Sequence, residues 1–200
     1  MEKSTNILLD STTYFRLAFY LHPLLDTPFG KHNYKLYVHD DLETEYKRNI
    51  RLQIKFNWVL QRKYVENRRE TLILNKDQKK EAEEILEHLK GVKEDNNYGT
   101  QGYDLKCLAK AITLDIPVVT DDRDFLKLAN CFNARKMSTV KLLSKMAAEK
   151  FITNDKVVGI VKQWIVKDDF PKNRIKEFNT LFRMDYNEIV KYGYIVEKDN

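Results

Sequence analysis

The segment Tyr103–Leu126, YDLKCLAKAITLDIPVVTDDRDFL, decides how this chain folds. It places an acid at the opening of a helix (Asp104), passes through a continuous apolar run (Pro117–Thr120) and ends in an acidic turn (Asp121, Asp122, Asp124). The N-terminal run Asn6-Ile7-Leu8-Leu9 is of the same kind and ends directly on Asp10. Continuous apolar runs suit strands covered on both faces. The expectation is an α/β fold around a mainly parallel sheet, whose functional edge is the carboxyl end of its strands. Asp10 and Asp122 follow strand ends and fall on that edge. A helix feeding the next parallel strand starts there too, which adds Asp104.

Convergent carboxylates have an electrostatic cost. Two of them about 4 Å apart repel by roughly 4 kcal/mol at an effective dielectric of about 20. Such a cluster must protonate, pair with bases or bind a cation. All-oxygen clusters suit hard divalent ions such as Mg²⁺ or Mn²⁺. Taken singly, each acid has a bland explanation: a strand end for Asp10, a favourable first-turn charge for Asp104, a turn or N-cap for Asp122. Three on one edge fit that explanation poorly.

A fourth acid belongs to the same geometry. Tyr34–His39 (YKLYVH) reads as a second strand, and Asp40-Asp41-Leu42-Glu43-Thr44-Glu45-Tyr46 opens the next helix with Asp41 as N-cap. Glu43 and Glu45 both lie in its first turns, where acids favour the helix dipole. Spacing alone does not choose between them.

At this point the chain resembles the PIN-domain nucleases, which include the toxin ribonucleases of toxin–antitoxin pairs. The matching pieces are Asn6–Ser11 (NILLDS), Val38–Tyr46 (VHDDLETEY), Tyr103–Ala111 (YDLKCLAKA) and Pro117–Phe125 (PVVTDDRDF), covering about residues 5–147. The resemblance implies a three-layer α/β/α fold and metal-dependent hydrolysis of RNA. It places the family's four acids on Asp10, Glu45, Asp104 and Asp122, and so favours Glu45 over Glu43. Mg²⁺ or Mn²⁺ is then expected on Asp10, Asp104 and Asp122, with Asp124 as a further ligand or support and Glu45 assisting. One ion would activate the attacking water, and a second would stabilise the leaving oxygen. Ser11 and Thr120 hydroxyls take supporting positions. The partners implied are an RNA substrate and an antitoxin protein; a second copy of the chain is a further expected partner, through the C-terminal helices. The competing reading is a nucleic-acid-binding or regulatory protein that keeps the fold without cleaving.

Charge agrees with a polyanionic partner. The chain carries 35 Lys and Arg against 30 Asp and Glu, net +5, although its proposed site is acidic. Cations must therefore dominate elsewhere. The densest run is Lys47–Arg69, interrupted only by Glu66. Arg62, Lys63, Arg68 and Arg69 are its candidate nucleic-acid contacts. Phe56, Trp58 and Tyr64 are either stacking surfaces for bases or core residues behind a solvated cationic face.

Other chemistries are disfavoured. Cys107 and Cys131 are too few for a disulfide framework or a zinc site, and none of the four histidines has ligand spacing to another. There is no Gly-rich phosphate loop, and Ser11 has no paired histidine. Haloacid-dehalogenase-type phosphatases need an acid two residues after the first, where this chain has Thr12. Receiver domains need an Asp at the third strand end, where Asn75 stands. The lack of an apolar run near 18 residues argues against a transmembrane span. With no signal-peptide pattern, a cytoplasmic protein is expected.

The remaining pattern predicts helix near 11–22, a long helical region from Asp41 broken near 65–70, and a short strand at Thr71–Leu74. Within that region Tyr46, Ile50, Ile54 and Trp58 recur every four residues. A charged helix over Lys76–Leu89 should stop at Gly91, with a loop over Val92–Gly102 before Asp104. Asn133–Met137 reads as an edge strand, followed by a helix that Ser138 caps. These elements make a domain over residues 1–150. Residues 151–200 form a helical extension with amphipathic helices at 154–167 and 172–184, expected to dock on the domain or build a self-association surface.

Overall fold

In the computed structural model, which describes residues 5–25 and 27–195, the two N-terminal apolar runs lie side by side. β1 (Thr5–Leu9) pairs in parallel with β2 (Tyr34–Val38), from Thr5↔Tyr34 to Leu9↔Val38. The short β3 (Val118–Val119) pairs with the other side of β1, and β4 (Lys136–Met137) follows it at the edge. The sheet is wholly parallel in the order β2-β1-β3-β4. The helices are α1 (Ser11–Ala18), α2 (Leu42–Arg48), α3 (Ile50–Lys55), α4 (Arg62–Asn67), α5 (Lys76–Asp95), α6 (Gly102–Thr113), α7 (Arg123–Cys131), α8 (Thr139–Ala148), α9 (Asn154–Val166), α10 (Ile175–Phe182) and α11 (Tyr186–Ile195).

Strand side chains alternate between faces, and β1 buries both. Ile7 and Leu9 belong to one apolar cluster with residues of α1, α8, α9 and α10, while Leu8 joins Val118 and residues of α5, α6 and α7 in another. That is why the run Ile7-Leu8-Leu9 has no polar position. The architecture is α/β with helices on both faces, consistent with three α/β/α layers.

The C-terminal segment docks on the first face. Trp164 of α9 is fully buried, and its indole N–H donates to the Arg16 carbonyl at 3.0 Å. Fully burying a large apolar side chain contributes about 1.5–3 kcal/mol, so Trp164 and Phe178 tie the extension firmly to α1 and α8. α11 was not anticipated. No helix among the described residues is long and apolar enough to cross a membrane.

Other local expectations needed correction. The helical region after Asp41 breaks at Asn49, whose extended backbone and side chain accepting from Arg51 and Leu52 N–H start a new helix. Asn is among the strongest N-caps, and here it overrides the four-residue periodicity. Tyr46 and Trp58 are buried, but Ile50 and Ile54 are 65% and 74% exposed. α5 runs through Gly91 and stops only before Asn97, whose φ of 53° supplies the left-handed residue that ends helices. Thr71–Leu74 alternates in burial like a strand but pairs with nothing among the described residues. Phe56, Trp58 and Tyr64 are core residues, so they offer no stacking surface. Arg68 also turns inward, donating to the Tyr14 hydroxyl and the Val59 carbonyl. Of the four proposed contact cations, Arg62, Lys63 and Arg69 face solvent.

Candidate active site

The strand order has a reversal point. The chain leaves β1 for β2 on one side, then crosses to β3 on the other, so a crevice opens beyond the carboxyl ends of β1 and β3. Asp10 follows β1 directly, and Asp122 follows β3 after a two-residue turn. Both are N-caps: Asp10 Oδ1 accepts from Thr13 N–H at 2.6 Å, and Asp122 Oδ1 from Phe125 N–H at 2.7 Å. Asp104, in the first turn of α6, accepts from Gln101 N–H through Oδ2. Glu45, in α2, accepts from the Ser11 hydroxyl through Oε2. Thr120 is bonded to the Asp10 carboxyl and also accepts from Asp122 N–H. Ser11 and Thr120, singled out in the sequence, thus contact three of these acids.

These acids sense one another. Burial, and then the charges of Asp10, Glu45 and Asp122, push the Asp104 carboxyl up to about 7 against an opposing Gln101 N–H. Burial lifts Asp10 to about 6, opposed by its Thr120 and Thr13 bonds and aided by Asp121. Burial also raises Glu45, while the Ser11 bond lowers it.

The neighbouring acids are neutralised. Asp40 pairs with Lys110, Asp41 with Lys106, Glu43 with Lys47, and Asp124 with Lys127. Asp121 is held by Arg16 at 3.0 Å and Arg174 at 3.1 Å. Among the described residues, Asp10, Glu45, Asp104 and Asp122 have no such ion pair. Asp124 turns to the preceding loop, accepting from Gly99 N–H at 2.9 Å, and is not among the charges that raise Asp104. Glu43 and Glu45, inseparable by spacing, differ here: Glu43 faces Lys47 and Arg68, and Glu45 faces Ser11 and Asp104.

Four uncompensated carboxylates are the donor chemistry of a hard divalent cation. Their arrangement is not a closed chelate. Among the described residues, no group of three His, Cys, Asp or Glu side chains stands ready to hold a metal ion. Each of the four acids has one oxygen tied to a backbone N–H or a hydroxyl. His39 supplies no ligand either. It is buried, burial pushes it down to about 4, and its Nδ1 accepts from Asp41 N–H.

Sequence reasoning missed the far wall of the crevice. Asp10 and Asp122 share a cavity of about 220 Å³ with Pro171 and Asn173, from the segment between α9 and α10. Asn173 Nδ2 donates to the Asp121 carbonyl at 3.2 Å. Nothing in the spacing of Asn173 connects it to residues so much earlier in the chain. A separate cavity of about 400 Å³ lies under residues 71–74, but its Asp40–Lys110 and Asp41–Lys106 pairs leave little free charge.

No protein-family model, curated protein or solved structure matches this chain. The site must be judged on its own residues.

Asp121, in the wall of the cavity, holds Arg16 and Arg174, and Asp121→Asn should show it. Breaking a buried ion pair costs about 3–5 kcal/mol, but Arg16 keeps Asp169 as a partner at 3.6 Å. A loss of roughly 2 kcal/mol in chemical denaturation is expected, with the response to divalent metal retained. A variant as stable as the parent would remove Asp121 from this role.

Proposed function

We propose that this chain is a metal-dependent ribonuclease with a PIN-like fold, hydrolysing phosphodiester bonds at the cluster Asp10, Glu45, Asp104 and Asp122. One observation carries the reading: among the described residues these four acids lack cationic partners at the reversal point of the sheet, while Asp40, Asp41, Glu43, Asp121 and Asp124 around them are each paired. Asp10, Asp104 and Asp122 would hold Mg²⁺ or Mn²⁺, which supplies charge neutralisation at the phosphate and an acidified water.

The protein's own part is positioning and proton affinity. The bonds from Thr13 and Phe125 N–H fix Asp10 and Asp122 as the N-caps of α1 and α7. Glu45 is oriented by Ser11. Burial keeps the proton affinities of Asp104 and Glu45 above those of ordinary carboxylates, towards the range that suits a group taking a proton from attacking water. Asp124, paired with Lys127, takes no ligand role in this proposal. Acting as the toxin of a toxin–antitoxin pair is the cellular role that the resemblance adds.

The alternative reading is a nucleic-acid-binding or regulatory protein that retains the fold without cleavage; each of the four acids already has one oxygen engaged by a backbone N–H or a hydroxyl. Incubation with single-stranded RNA, in Mn²⁺ and in EDTA, separates the two. Cleavage in Mn²⁺ that EDTA stops is expected. Binding without cleavage under both conditions would establish the silent reading instead.

A further inference from the structure

The cavity holding Asp10 and Asp122 continues into a second one. Asp121, Asp122 and Asn173 line both, and the second, of about 540 Å³, adds Arg123, Asp124, Lys127 and Lys172. The two therefore make one cleft, with Asp10 and Arg16 at one end, Arg123, Asp124, Lys127 and Lys172 at the other, and Asp121, Asp122 and Asn173 at the junction. Its outer wall comes from the C-terminal extension. That wall is anchored through Asp121, which accepts from Arg174 at its carboxylate and from Asn173 at its carbonyl.

The cations of this cleft are not equally free. Lys127 is bonded to Asp124 at 2.8 Å and sits over the Tyr98 ring. Lys172 lies 3.1 Å from Asp168, but both side chains are about 80% exposed, and such pairs contribute little. Arg123 is exposed and has no acidic partner among the described residues. Arg123 and Lys172 therefore offer positive charge on either side of the channel that leads to the acids.

We infer that this cleft, between α7 and the Pro171–Arg174 segment, is the track for the phosphodiester backbone of a single nucleic-acid strand, with Arg123 and Lys172 as its phosphate contacts. The inference rests on the nuclease reading for its direction, since the track ends at Asp10 and Asp122, two of the four acids. A ligand that spans both ends must present negative charge to the cations and oxygen donors towards the metal that the acids would hold. A chain of phosphodiesters does both. The proposed contacts on α4 have no such continuity: Arg62 and Arg69 share Glu66 on an exposed surface.

The test is the salt dependence of binding of a fluorescent single-stranded RNA, measured in EDTA so that cleavage plays no part. Each phosphate contact to a single strand contributes about −0.7 to the slope of log K against log salt. Arg123→Ala/Lys172→Ala should flatten that slope by about 1.4. Arg62→Ala/Lys63→Ala/Arg69→Ala should leave it unchanged. All five side chains are exposed, so both variants should fold, which their melting curves would check. A slope unchanged in the first variant, or lost in the second, overturns the track. Wild-type protein that binds RNA with the expected slope pattern but cleaves none in Mn²⁺ would sink the nuclease reading and leave the track standing. Wild-type protein that binds no RNA would end both.

Discussion

Asp10→Asn, Asp104→Asn and Asp122→Asn are each expected to lower Mn²⁺-dependent RNA cleavage by about 10²–10³-fold, the usual consequence of removing one preorganised electrostatic group. The substitution is chosen so that folding cannot explain the loss. Asn caps helices as well as Asp, so Asp10→Asn keeps the bond from Thr13 N–H and Asp122→Asn the bond from Phe125 N–H. Asn at position 104 can still accept from Gln101 N–H. What disappears is the charge alone. Glu45→Gln should follow the same pattern in milder form. Glu43→Gln should change the rate by no more than about threefold, because that carboxylate already faces Lys47 at an exposed pair. Cleavage assays on the five variants decide it. Full activity in any of the three Asn variants removes that acid from the site, and greater damage from Glu43→Gln than from Glu45→Gln reverses the assignment within α2.

How much of this was legible in the sequence depends on the range of the forces involved. Strand cores were legible because β1 is buried on both faces, and burial on both faces leaves no polar residue in Ile7-Leu8-Leu9. The acids at the strand ends followed, since topology alone carries Asp10 and Asp122 to one edge. The Glu43/Glu45 choice was not legible from spacing, because both satisfy the α2 dipole; only the location of Ser11, Lys47 and Arg68 separates them. Helix breaks were misplaced for a local reason. Asn49 and Asn97 end or restart helices through cap bonds and a left-handed backbone, and these outweigh the pattern of apolar residues and the expected stop at Gly91. Arg68 read as a surface cation because nothing nearby in sequence announces its partners, Tyr14 and Val59. Asn173 is the extreme case. Its place beside Asp10 depends on Trp164 and Phe178 docking the extension, which is tertiary packing with no sequence period of its own.

Without metal, Asp104→Asn should be more stable than the parent at pH 8, and Mn²⁺ should reverse that order. A carboxyl raised to about 7 in the folded protein, from an ordinary 3.8, binds more protons folded than unfolded between those values. Its contribution to stability therefore falls as pH rises from about 4 to about 7. Asn does not titrate, so the variant's advantage should be near zero at pH 4, grow through that window and level off above pH 7. The difference between 3.8 and about 7 would give about 4 kcal/mol. Asp104 is only half-buried, so about 2 kcal/mol is the expected plateau, or a melting temperature roughly 4–8 °C higher. The comparison must be between the two proteins, not along one pH curve. His39, held down to about 4, gains stability for the fold as pH rises from 6.5's lower side, over the window between about 4 and 6.5, and so opposes the trend in both proteins alike. Divalent metal acts only on the folded state, and at one hundred times its dissociation constant adds about 2.7 kcal/mol. The parent should receive that gain, and the variant, short of one carboxylate, much less of it. Thermal melts at pH 4, 6 and 8, with EDTA and with millimolar Mn²⁺, test each step. A variant no more stable than the parent at pH 8 in EDTA would show that Asp104 is not strained by burial beside the other acids. A parent whose melting temperature ignores Mn²⁺ would leave that strain without the ion proposed to relieve it.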